Sequence, residues 1–142
     1  MSFHGKILLA DDEPHIRKFL SLLVLRIGAT SVLEAANGQQ AVEIYERERP
    51  ELVLLDVNMP VMDGIETLRR LMEIDPDCVV VMMTSLINRQ TVDQALELGA
   101  SGYVRKDTPP EEIVSALKDV VAECFGDEDP APAEGGSQET AE

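Results

Sequence analysis

The chain has 142 residues, 44% of them hydrophobic and none of them Trp, with a mean hydropathy of -0.05. That composition suits one globular domain with a core of aliphatic residues and Met. The formal charge of -15 argues against a nucleic-acid or anionic-membrane partner, because phosphate surfaces need Lys and Arg to neutralise them.

Residues 6–10 (KILLA) are the first expected strand, and the run breaks at once into Asp11-Asp12-Glu13. It is too short for a signal-peptide core. Ile16, Phe19, Leu20, Leu23, Val24 and Ile27 recur at three and four, the buried stripe of a helix closed by Gly28. A second strand is expected over residues 30–35. The third, residues 51–56, ends on Asp56 and opens into a turn-rich stretch holding Pro60 and Asp63-Gly64. Asp63-x-x-Glu66 is a capping-box signature for the next helix. The fourth strand, residues 78–83, gives way to Thr84-Ser85. The fifth, residues 101–105, ends in Arg105-Lys106.

Thr108-x-x-Glu111 is a second capping box, with Pro109 and Pro110 at the first helical positions. It opens a last helix whose stripe is Ile113, Leu117, Val120, Val121 and Cys124. Residues 126–142 hold six acids, no base and no periodicity, and read as an acidic disordered tail or linker after a domain spanning 1–125. Cys78 and Cys124 belong to no CxxC or Cys/His cluster and read as reduced, mostly buried thiols. No apolar stretch approaches the ~18 residues of a membrane span, so a cytoplasmic location is expected.

Five strands alternating with helices imply a doubly wound α/β fold, with right-handed crossovers and helices on both faces of a parallel sheet. Ligands of such sheets sit beyond the carboxyl ends of the strands, where strand order reverses. At that edge the sequence collects Asp11-Asp12-Glu13, Asp56, Thr84-Ser85 and Lys106. Each acid alone could be a helix cap, and for Asp12, just ahead of Pro14, capping is a real alternative. Capping does not explain acids gathered from two strands. Crowded carboxylates repel unless a cation joins them, and a few oxygen ligands beside open solvent favour Mg2+. Metal, hydroxyl and ammonium around Asp56 make a cradle for a phosphoryl group, with the carboxylate as nucleophile.

The stretches "ILLADDEP", "LVLLDVNMPVMDG", "VVVMMTS" and "LELGASGYVRK", in this spacing, resemble the receiver domain of bacterial two-component response regulators over residues 5–125. The resemblance implies a flavodoxin-like fold with strand order 2-1-3-4-5. It also implies a phospho-acceptor signalling domain rather than an enzyme with an external substrate. Asp56 matches the phosphorylated residue, Asp12 a direct Mg2+ ligand, and Asp11 an acid acting through bound water. Asn58 matches the residue whose backbone carbonyl completes the metal shell. Thr84 matches the switch hydroxyl, Tyr103 the switch aromatic, and Lys106 the phosphoryl-binding lysine. Met59, Pro60 and Gly64 match the loop that shapes the pocket. The implied partners are a sensor histidine kinase or histidine phosphotransfer protein and a downstream effector, reached through the fourth helix, fifth strand and fifth helix.

One departure stands out. The family usually has proline after the lysine, whereas Asp107 follows Lys106 here. A cis bond at that place would cost about 3 kcal/mol without proline, so a trans bond is expected. Asp107 is expected to pair with Lys106 or to cap the last helix with Thr108. Asn58 and Leu86 occupy the positions that set dephosphorylation in the family, and they imply a lifetime of minutes rather than seconds.

Rival readings are weaker. A haloacid-dehalogenase-like phosphatase wants a second aspartate where Asn58 stands, and an FMN carrier would have its phosphate repelled by Asp11-Asp12-Glu13. Two alternatives stay within the family: a docking module that takes up no phosphate, or the amino-terminal receiver of a longer regulator.

Overall fold

The computed structural model describes residues 5–85 and 88–125. Residues 126–142, expected as a tail, and Leu86 lie outside the described residues. The strands are β1 (Gly5–Ala10), β2 (Ala29–Ala35), β3 (Leu52–Asp56), β4 (Val80–Thr84) and β5 (Gly102–Arg105). The helices are α1 (Pro14–Leu25), α2 (Gly38–Glu48), α3 (Gly64–Ile74), α4 (Arg89–Leu98) and α5 (Pro110–Phe125). All strand pairs are parallel, in the order β2-β1-β3-β4-β5. The expected fold and strand order are those observed.

Side chains of a strand alternate between faces, so the two apolar layers can be read off residue by residue. Ile7, Leu9, Leu52, Leu54, Val81 and Met83 face one way and pack with α1 and α5. Leu8, Ala10, Val53, Leu55, Val80 and Met82 face the other and pack with α2, α3 and α4. Both central strands β3 and β4 are buried at every residue, which is why they are continuous apolar runs. On the second face Tyr45 Oη donates to Asp75 Oδ2 at 2.9 Å, tying the end of α2 to the end of α3.

Prolines decide where two helices begin. The residue before a proline is pushed out of the helical region, so it becomes the cap rather than the first helical residue. Glu13, before Pro14, is extended (φ -99, ψ 112) and is the N-cap of α1, without a side-chain cap bond. Asp12 therefore sits one residue too early to cap. Pro109, before Pro110, likewise stays outside α5, and its carbonyl accepts from Glu112 and Ile113. The expected Thr108-x-x-Glu111 box is thus out of register, and Glu111 instead takes a hydrogen bond from Arg26 at 2.8 Å. The Asp63 cap forms as expected, accepting from the Glu66 N–H at 2.9 Å.

Two residues of the expected stripes are exposed. Phe19 is 36% exposed because α1 turns Leu20, Leu23 and Val24 to the sheet and leaves Phe19 at the edge of that face. Cys124 is exposed, while Cys78 is buried as expected. Gly28 closes the turn after α1 with φ 106, a conformation glycine takes without penalty.

Candidate functional site

The strand tips bring the predicted residues together. Asp11 follows β1 and is 2% exposed; Asp56 ends β3 and is 4% exposed. Asp12, exposed, adds a third carboxylate. One oxygen from each of Asp11, Asp12 and Asp56 lies within 4.8 Å of the others. Glu13 belongs elsewhere in the site: its Oε1 is 3.8 Å from Lys106 Nζ.

Lys106 is the centre of charge balance. Its Nζ lies 2.7 Å from Asp11 Oδ2 and 3.1 Å from Asp56 Oδ2, with only 12% of the side chain exposed. The strand places it, since the Lys106 N–H donates to the Thr84 carbonyl at 2.7 Å. Burial pulls its pKa down, but the Asp11 and Asp56 carboxylates outweigh that and the net shift is upward. Asp56 is pushed up to about 6, first by burial and then by the Asp11 charge, with Lys106 offsetting part of both. Asp107 does not reach Lys106. Its Oδ2 accepts from Arg105 Nη2 at 2.7 Å, which corrects the expected pairing. No cis peptide occurs among the described residues, so the Lys106–Asp107 bond is trans.

The donor set fits a hard divalent cation. All three converging groups are carboxylates, and oxygen ligands of this kind suit Mg2+. Asp11 Oδ1 already accepts from the Glu13 N–H at 2.9 Å. Its buried Oδ2 has no well-directed hydrogen bond, the nearby ammonium notwithstanding. Three carboxylates against one ammonium leave negative charge unbalanced, and a divalent cation among them would offset it.

The β3–α3 loop is built against Asp56. Asn58 N–H donates to Asp56 Oδ1 at 3.3 Å, and Met59 is buried in the second core layer. Gly64 N–H donates to the Val57 carbonyl at 2.8 Å, and a Cβ at Gly64 would run into the Asp56 carbonyl. Pro60 is exposed on this loop. Beside it Val61 sits at φ 71 and 81% exposed, an unfavourable backbone for a β-branched residue. Nothing in the sequence pattern signals that strain. Val61→Gly, which removes the Cβ that makes a positive φ costly, should raise stability by about 1 kcal/mol, read from the urea midpoint.

Thr84 ends β4 and is 1% exposed. Tyr103 on β5 is half-buried with its hydroxyl sealed from solvent and lacking a well-directed hydrogen bond. Burial raises its pKa, and the Thr84 hydroxyl offsets part of that rise. The two residues expected to form a switch are thus neighbours. Sequence reading missed Arg17, which reaches from α1 to donate to the Asp11 carbonyl at 2.6 Å. No spacing rule predicts a contact between a helix side chain and the loop before it.

A family model described as "Response regulator receiver domain" matches residues 7–118. The chain belongs to that family. A 113-residue stretch of this receiver domain is 41% identical to sporulation initiation phosphotransferase F of Bacillus subtilis, covering 80% of this chain and 90% of that one. A 110-residue stretch is 39% identical to the uncharacterised transcriptional regulatory protein YhcZ of Bacillus subtilis, covering 77% of this chain and 51% of that one. The receiver thus spans about half the length of that relative. Among solved structures it superposes on a LuxR-family two-component response regulator from Aurantimonas sp. SI85-9A1, with TM-score 0.80 and 32% identity. That match covers 85% of this chain and 87% of the other. No helix among the described residues is long and apolar enough to cross a membrane.

Proposed function

We propose that this receiver takes a phosphoryl group onto Asp56 from a sensor histidine kinase or histidine phosphotransfer protein, in the cytoplasm, with Mg2+ as cofactor. The observation that carries this reading is the buried Asp56 carboxylate facing Asp11, Asp12 and Lys106 at one sheet edge. Asp11, Asp12, Asp56 and the Asn58 backbone carbonyl would hold the ion. When bound, Mg2+ neutralises the repulsion between a carboxylate nucleophile and an anionic phosphoryl group.

The protein's own groups do the rest. Asp56 is fixed by its strand and by the Asn58 N–H, so one oxygen is presented for in-line attack. The O–P bond to Asp56 forms as the P–N bond of a phosphohistidine donor breaks, and the imidazole leaves with the electron pair. Lys106, freed from one of its carboxylates, steadies the charge on the transferred group. The Thr84 hydroxyl is placed to follow the phosphoryl oxygens, and Tyr103 beside it would register that movement on the face made by α4, β5 and α5. A few kcal/mol of bias between two packings is enough for such a switch. This is self-catalysed phosphotransfer by a signalling domain, not turnover of an external substrate, and the output is a protein contact with a downstream effector.

A second reading, a receiver at the head of a longer regulator, is supported by the half-length match to YhcZ. It shares the same chemistry at Asp56. Intact mass after acetyl phosphate and Mg2+ tests the proposal: the wild type should gain one phosphoryl group and Asp56→Asn none. No adduct on the wild type would leave the docking-module reading. An equal adduct on the variant would move the acceptor to another residue.

A further inference from the structure

The two peptides that flank Asp11, just beyond β1, are each held from outside the cluster. The Asp11 N–H donates to the Ala35 carbonyl at the end of β2 at 3.1 Å. The Asp11 carbonyl accepts from Arg17 Nη1 at 2.6 Å. The same guanidinium donates through Nε to Glu34 Oε1 at 2.9 Å, and its side chain is only 16% exposed. Arg17 therefore ties α1 to the carboxyl end of β2 across the peptide plane from which Asp11 and Asp12 project. Asp12 is exposed, so its carboxylate takes its direction from its main chain rather than from packing. A planar guanidinium can serve two acceptors in fixed directions, which a lysine ammonium on its flexible stem does poorly.

We propose that Arg17 is a positioning residue for the divalent cation. It sets the plane of the Asp11–Asp12 peptide so that both carboxylates meet that of Asp56, and Glu34 anchors it there. This rests on the Mg2+ reading given above. The sign of the effect separates positioning from simple charge. A guanidinium near a cation site repels the cation, so a purely electrostatic Arg17 would weaken Mg2+ binding, and Arg17→Met would tighten it. A group that orients metal ligands from behind does the opposite, and its loss typically weakens metal affinity by about 10-fold or more.

Titration calorimetry of Mg2+ into the full chain, paired with amide hydrogen exchange of the metal-free protein, tests this. Arg17→Met should bind Mg2+ about 10-fold more weakly. Exchange should quicken at the Glu13 N–H, which the Asp11 carboxylate holds. Arg17→Lys keeps the charge but loses the fork, and should fall between Met and the wild type; it carries the comparison if the Met variant does not fold. Tyr45→Phe, which loosens the α2–α3 tie instead, should lower the urea midpoint without moving either readout. Unchanged or tighter Mg2+ binding by the Arg17 variants overturns the proposal. If the wild type itself takes up no Mg2+, the cofactor reading falls, and the exchange data decide positioning alone: equal protection at Glu13 rejects it.

Discussion

Metal-free Asp56→Asn should be more stable than the wild type at neutral pH. The Asp56 carboxyl is pushed up to about 6 from an ordinary 3.8 by burial and by the Asp11 charge. A carboxyl raised in the folded state contributes stability that is complete below the unfolded pKa and lost as pH rises through the folded one. The wild type should therefore lose up to about 3 kcal/mol between pH 4 and pH 7, and the variant should lack that slope. Urea unfolding in a chelating buffer at a series of pH values reads this directly. Parallel pH profiles for the two proteins would mean that Asp56 is not under the strain its surroundings impose. Adding Mg2+ should close much of the gap, because a cation among the carboxylates favours their ionised forms.

Lys106→Met should show the reverse sign and a larger effect. Without Lys106, the buried Asp11 and Asp56 carboxylates lose the ammonium at 2.7 and 3.1 Å. Removing one partner of a buried ion pair costs about 3–5 kcal/mol, because the remaining charge stays desolvated. The loss should be greatest above neutral pH without metal and should shrink as pH falls toward 6, since without Lys106 the Asp56 carboxyl takes up its proton above that value. It should also shrink in millimolar Mg2+, since the ion replaces the missing positive charge. By the same reasoning the variant should bind Mg2+ more tightly than the wild type while phosphorylating more slowly. An equal loss of stability with and without Mg2+ would show that Lys106 acts through packing of its methylene stem.

The parts of this protein that could be read from sequence are those fixed by short-range rules. β3 and β4 are buried on both faces, so their runs are continuously apolar, and the break at Asp56 or at Thr84 marks a strand tip. Acids at two neighbouring tips then imply their own convergence. Side-chain reach between distant elements is a different matter. The expectation that Asp107 would answer Lys106 fails because Arg105, on the same outward side of the strand end, is nearer to it. α5 begins at Pro110, one residue later than the Thr108 box implies, because a proline pushes its predecessor out of the helical region. Arg17 and Val61 left no trace, one acting through a fold-dependent contact and the other through a torsion angle.

The winding of the chain has a practical corollary. Every strand points its carboxyl end at the acid cluster, and α5 runs back the other way, so Gly5 and Phe125 both emerge on the far rim of the molecule. A fluorophore, affinity handle or surface tether joined at either place would leave the acid-lined edge open to the bulk, which suits this domain to immobilised capture of whatever docks there.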